Sequence, residues 1–193
     1  MEKRAYSLIN RKIMTKQFAV IIVVLALSFS LRFYPAVTNE FPKGSDTFFH
    51  IRVSSEIKES GSLFIYDRLT QTVNSYPPLL HVLMACLFFF GDPFTIARFL
   101  GPLLGFLSVI MFYILLSSLT DRKTAIASTF VYGTAAEIIN KSMFTTPENL
   151  GLLLIFLGLF EFNRYTKENK SLHLYASSLI GVLIALTHPL SFV

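Results

Sequence analysis

The sequence has one cysteine, Cys86, and it lies inside an apolar run. That excludes an internal disulfide framework, and no His/Cys spacing makes a zinc motif. The plain role for Cys86 is a small hydrophobic side chain facing lipid or protein. Charge is scarce as well: Asp, Glu, Lys and Arg are 15% of 193 residues, against 53% hydrophobic residues. The mean hydropathy is +0.57. A soluble domain of this length cannot hide that much apolar surface, so composition places the chain in the membrane class. There is no internal repeat and no low-complexity linker. The net charge is +5, but the basic residues fall between apolar segments and read as topology marks. On that ground a nucleic-acid partner is not expected.

What the chain does have is apolar segments separated by short polar turns, with 20 Phe suited to lipid-facing helices. Residues 1–16 are polar and basic, with Lys3, Arg4, Arg11, Lys12 and Lys16. Residues 17–36 form the first apolar segment. No clean Ala-x-Ala cleavage site follows it, so it reads as a signal anchor with a cytoplasmic N-terminus rather than a cleaved signal peptide. Arg32-Phe33-Tyr34 reads as its interfacial anchor. Residues 37–92 form the first outer loop. Within it, Asp46 to Glu59 suits a short amphipathic helix with Phe49, Val53 and Ile57 on one face, stopped by Gly61. Pro77-Pro78 then opens an apolar helix from Leu79 to Phe90, ended by Gly91-Asp92-Pro93. At about 1.5 Å per residue that helix falls short of the roughly 30 Å of hydrocarbon, so it reads as lying on the outer surface.

Charge supports this assignment. With the Leu79–Phe90 helix on the surface, residues 94–192 make four spans: 94–119 runs inward, 124–141 outward, 148–163 inward and 172–192 outward. Asp121-Arg122-Lys123 and the turn with Arg164, Lys167 and Lys170 are then both cytoplasmic, as the positive-inside rule prefers. If the Leu79–Phe90 helix crossed instead, both basic turns would lie outside. The expected fold is therefore all-α and polytopic, with about five transmembrane helices and two juxtamembrane helices in the first outer loop. The chain reads as a single transmembrane unit over 1–193. It ends at Val193 within an apolar run after an odd number of spans, as an incomplete one would.

That topology gathers ionisable groups on the outer face. Gly44-Ser45-Asp46-Thr47-Phe48-Phe49-His50-Ile51-Arg52 brings an acid, an imidazole and a guanidinium together among aromatic rings. In a helix, Asp46 and His50 lie one turn apart on one face. A carboxylate at a membrane surface can bind a divalent cation or take a proton. Thr145-Thr146-Pro147-Glu148-Asn149 and His188-Pro189 fall on the same face. Each group also has a plainer role. Asp46 suits an N-cap, and Glu148 suits the first turn of a helix opened by Pro147. Glu137 and Lys141 have the spacing of a surface ion pair. Arg98, near the outer end of its span, either snorkels to headgroups or holds a lipid phosphate. His50, His81 and His188 are ligands, proton carriers or satisfied polar groups. Few ionisable groups fall at mid-span, and Gly101-Pro102 is the one candidate helix break. A transporter, with broken helices and polar groups at the midplane, fits less well than an enzyme working at one face.

Taken in order, several elements resemble a known family. They are the signal-anchor helix, Gly44-Ser45-Asp46 with Phe48-Phe49-His50-Ile51-Arg52, and Tyr76-Pro77-Pro78-Leu79-Leu80. Gly91 with Ala97-Arg98, the basic turn Arg122-Lys123 and Thr146-Pro147-Glu148-Asn149 complete the set. The series is similar to the N-terminal half of the GT-C glycosyltransferases, which use polyprenyl-phosphate-linked sugars. It looks most like the archaeal oligosaccharyltransferase catalytic subunit. Its Pro-Pro-Leu and Ala-Arg elements also resemble the protein mannosyltransferase and lipid A aminoarabinose transferase branches.

The resemblance implies transfer of a sugar or glycan from a polyprenyl (dolichyl-type) phosphate or pyrophosphate carrier to an acceptor protein, at Asn, or to a glycan. It implies Asp46 as the catalytic acid, and Asp46 with Glu148 as ligands of a divalent metal, Mg2+ or Mn2+. Arg98, His50, Arg52, His81, Asn149 and His188 become candidates for lipid-phosphate or substrate binding. The active face would be extracellular or luminal. The second acid motif departs from the family's usual acid-x-acid, since Pro147-Glu148-Asn149 offers one carboxylate. The family's acceptor-recognition motifs sit in a C-terminal soluble domain, so the resemblance implies that this stretch alone is inactive. Two other readings stand beside it. One is an enzyme that uses a lipid-monophosphate sugar on protein hydroxyls or lipid-linked glycans; the other is a non-enzymatic transporter or assembly subunit.

Overall fold

A computed structural model describes residues 2–67, 72–73 and 76–187. Among these the protein is helical, apart from a two-stranded antiparallel pairing. The order is α1 (Glu2–Thr38), α2 (Ser45–Ser60), β1 (Tyr66–Asp67), β2 (Thr72–Val73), α3 (Leu79–Leu87), α4 (Pro93–Leu119), α5 (Arg122–Thr134), α6 (Ala136–Ser142), α7 (Pro147–Glu168) and α8 (Ser171–Ala185).

Among the described residues two helices are long and apolar enough to cross a membrane, Met14–Thr38 of α1 and Pro93–Leu119 of α4. Apolar side chains elsewhere also point outward: Val131 is 65% exposed, Leu179 62% and Tyr175 70%. Outward faces of this kind match a lipid surround better than water. The main core joins α3, α4, α7 and α8 through Leu80, Met84, Leu100, Leu104, Leu154 and Ile180. Gly158 lets α7 and α8 approach closely; a Cβ there would stand 3.2 Å from Ile180.

Between α1 and α4 the chain forms two short helices, α2 and α3. Gly61 ends α2 in the left-handed region (φ 67°), and its amide donates to the Ile57 carbonyl at 2.9 Å. Val53 and Ile57 pack with Ile65 and Ala85, and Phe49 joins them. Helix α3 has nine residues, about 13 Å of rise, which is under half a hydrocarbon thickness. It is buried against neighbours on one side through Leu80, His81 and Met84. The Leu79 amide donates to the Leu186 carbonyl at 2.8 Å, joining the start of α3 to the end of α8.

Three local expectations need correction. Helix α4 runs unbroken through Gly101-Pro102. Arg32 is not an interfacial anchor; it is 0% exposed and lies between helices. Residues 124–141 are not one helix, because the chain turns at Ala135 between α5 and α6. Arg32 supplies the reason. Its Nη1 donates to the Gly133 carbonyl at 2.7 Å, the acceptor that a continuing helix would give to its own next turn.

The basic turns meet at one end of the bundle. Asn163 Nδ2 donates to Ser118 Oγ at 2.8 Å, and Lys167 Nζ donates to the Ser118 carbonyl. Helix α7 carries the chain from there to Glu148. Its 22 residues rise about 33 Å.

Candidate functional site

The site is built where two connections cross the N-terminal end of α4. One is Lys43-Gly44, leading into α2; the other is Phe144-Thr145-Thr146, leading into α7. They form a parallel bridge between Lys43 and Phe144. Gly44 has φ 85°, and a Cβ there would meet the Phe144 ring at 2.6 Å, so only glycine suits the position. Thr47 Oγ1 donates to the Lys43 carbonyl at 2.7 Å and accepts from the Thr145 amide at 3.2 Å. Thr145 Oγ1 donates to the Ala97 carbonyl at 2.6 Å and accepts from the Gly101 amide at 2.8 Å. Asn149 Nδ2 ties the same loop by donating to the Phe144 and Lys141 carbonyls at 2.6 and 3.1 Å.

This scaffold brings Asp46 and Glu148 to one cavity of about 390 Å3, which Lys141, Thr146, Asn149 and Tyr132 also line. Both acids are solvent-exposed. Asp46 is not the N-cap of α2; Gly44 holds that place, and no side chain caps it. Glu148 sits in the first turn of α7, behind Pro147. Tyr76 is close to both acids. Burial pushes its phenol above its usual range, and the charges of Glu148 and then Asp46 push it further.

Beside Asp46, one turn along α2, lies a buried histidine pair. His50 Nδ1 and His81 Nε2 are 2.9 Å apart, with the Tyr76 and Phe49 rings edge-on or tilted around them. Burial, and then the proximity of His50, lower the His81 pKa to about 4; a bond to the Pro77 carbonyl opposes that in part. At this distance the pair holds one proton between the rings, and a second is excluded by burial and repulsion.

The other candidates lie apart from the acids' cavity. Arg52 pairs with Glu56 at 3.1 Å and stacks over Phe49. Arg98 does not line the cavity of Asp46 and Glu148. Its Nη1 donates to the Asn39 and Glu40 carbonyls at 2.9 and 3.0 Å, and its guanidinium stacks on Phe99. It clamps α4 to the end of α1. His188 lies outside the described residues. Glu137 pairs with Lys141 at 3.5 Å, the surface ion pair its spacing indicated.

Sequence reading missed Lys141 as a site residue and named Tyr76 only as part of the Tyr76-Pro77-Pro78-Leu79-Leu80 element. Lys141 looked like half of a helix-surface pair, and nothing local shows that its other neighbour is a cavity with two acids. Among the described residues no three His, Cys, Asp or Glu side chains cluster as a metal-binding group. The donor set nevertheless suits a hard cation. Two carboxylates face one cavity, and among the described residues the Asn149 side chain bonds through Nδ2, which leaves its carbonyl oxygen for a ligand. No protein-family model matches the chain, and no curated protein matches it in sequence.

Proposed function

We propose that the protein is a polytopic membrane glycosyltransferase of the GT-C kind, acting on a polyprenyl-linked sugar at its outer face. The observation that carries this reading is the shared cavity of Asp46 and Glu148, whose residues stand about 100 positions apart in the sequence. The topology assigned to it has about five spans: α1, α4, the α5–α6 pair, α7 and α8. The meeting of both basic turns at Ser118, which Asn163 and Lys167 reach about 22–29 Å along α7 from Glu148, supports that arrangement.

In this reading the bond between the anomeric carbon and a phosphate oxygen breaks, and its electron pair leaves with the lipid phosphate. An acceptor nitrogen or hydroxyl forms the new bond from the opposite face of the sugar. Asp46 orients the acceptor and takes its proton. Lys141 faces the leaving phosphate from across the cavity. Asp46, Glu148 and the Asn149 carbonyl would hold a divalent cation, Mg2+ or Mn2+, which supplies positive charge where the leaving phosphate becomes more negative. The exposed rings of Phe48 and Tyr76 border the approach of the lipid-linked donor.

The test is sugar transfer in membranes from cells making the protein at its full native length. These are supplied with polyprenyl-phosphate and polyprenyl-pyrophosphate sugars, with wild type compared against Asp46→Asn. Transfer that depends on Asp46 supports the reading. Equal transfer by wild type and variant, or none above membranes lacking the protein, overturns it.

A further inference from the structure

We propose that Arg32, Arg98 and Lys43 together hold a small inorganic anion of chloride size, in a cavity separate from the one that Asp46 and Glu148 line. The buried side-chain donors without a hydrogen-bond partner among the described residues are Nε and Nη2 of Arg32 and Nε of Arg98. Both arginines line one cavity, between the end of α1 and the start of α4, and Lys43 and Met143 line it too. An orphaned buried N–H is uncommon, and here the two arginines that carry all three line the same cavity.

Charge points to the kind of ligand. Arg32 is 0% exposed, and its Nη1 donates only to neutral oxygens: the Ser28 carbonyl and hydroxyl and the Gly133 carbonyl. Arg98 donates to two backbone carbonyls. Lys43 Nζ reaches the Met143 sulfur at 3.6 Å, a weak acceptor. Asp92 acts electrostatically on Arg98 but does not line the cavity. Three cations therefore border one space to which no carboxylate contributes. A water molecule there would satisfy the orphaned donors and leave the buried guanidinium without a counter-charge. A monovalent anion satisfies both.

Size selects among anions. The cavity has about 10 Å3, room for about one water-sized sphere. A halide fits; a whole phosphate group, with its tetrahedron of oxygens, does not. Met143 and Lys43 flank the connections that carry Glu148 and Asp46, so the anion would lock α1, α4 and both connections together.

The experiment is thermal unfolding of the detergent-solubilised full-length protein in sodium chloride against sodium gluconate at equal ionic strength. It is paired with anomalous diffraction from crystals grown in bromide. Chloride is expected to raise the midpoint saturably by about 2–4 °C, and bromide to give an anomalous peak among Arg32, Arg98 and Lys43. Lys43→Met, a change at an exposed side chain, is expected to raise the half-saturating chloride concentration, and Arg32→Met to abolish the dependence. Equal midpoints in the two salts, or no bromide peak at the cavity, would overturn the assignment. Stabilisation by phosphate but not by chloride would overturn it too.

Discussion

The Thr145 amide donates to Thr47 Oγ1 at 3.2 Å, and this bond spans 98 residues of sequence. Thr47 follows Asp46 directly, and Thr145 stands three residues before Glu148. The two acids reach one cavity because these threonines join the connections that carry them.

That makes Thr145 and Gly101 the positions where the site is most easily disturbed from a distance. In Thr145→Val the Gly101 amide and the Ala97 carbonyl both lose the buried hydroxyl that they share. The expected loss is about 1–3 kcal/mol. Gly101→Ala places a Cβ 2.5 Å from the Phe144 carbonyl oxygen, a backbone atom with little freedom to move. A loss of about 1–3 kcal/mol, or misfolding, is expected there. Unfolding in detergent followed by fluorescence or circular dichroism checks both.

Asp46→Asn and Glu148→Gln are expected to behave differently. Both side chains are exposed, and neither caps its helix. Stability should change by no more than about 0.5 kcal/mol. Transfer from a polyprenyl-linked sugar should fall about 100-fold or more for Asp46→Asn. Parallel melting and transfer assays separate the two effects. A large fall in stability would assign the acid a structural role instead.

Acid should weaken the protein through the histidine pair. The His81 pKa is held at about 4 in the fold, below the usual 6.5. The unfolded chain therefore takes up a proton more readily than the folded one between those values. The pair's contribution is complete above about pH 6.5 and is lost as the pH falls towards 4, a loss on the order of 3 kcal/mol. Melting curves from pH 7 to pH 4 should show that decline, and His81→Gln should flatten it.

Topology is open to labelling. With Cys86 replaced, single cysteines at Lys123 and Lys170 should react with an impermeant thiol reagent only from the side opposite to cysteines at Ser45 and Thr146. All four sites on one side would refute the five-span arrangement.

Much of the fold was legible because its signals are local. Gly61 stops α2 where a left-handed residue was needed, and Pro77-Pro78 opens an apolar helix too short to span. The break at Ala135 was not legible. It depends on Arg32, about 100 residues earlier in the sequence, taking the Gly133 carbonyl. The same arginine looked like a membrane-surface anchor because a sequence shows which residues flank an apolar run, not which are enclosed by other helices. Counting spans and charges brought Asp46 and Glu148 together in the sequence reading, and the two acids line one cavity. Arg98 was drawn to the same site by proximity in that count, but two backbone carbonyls hold it elsewhere. Lys141 escaped notice because its sequence partner, Glu137, accounted for it.

The most direct test of the two acids as one site is Mn2+ binding, followed by electron paramagnetic resonance, in wild type, Asp46→Asn, Glu148→Gln and the double variant. A shared ion predicts that each single change weakens binding about tenfold or more and that the double variant is little worse than either. Losses that simply add, or Mn2+ binding unchanged by either substitution, would contradict a joint cation site.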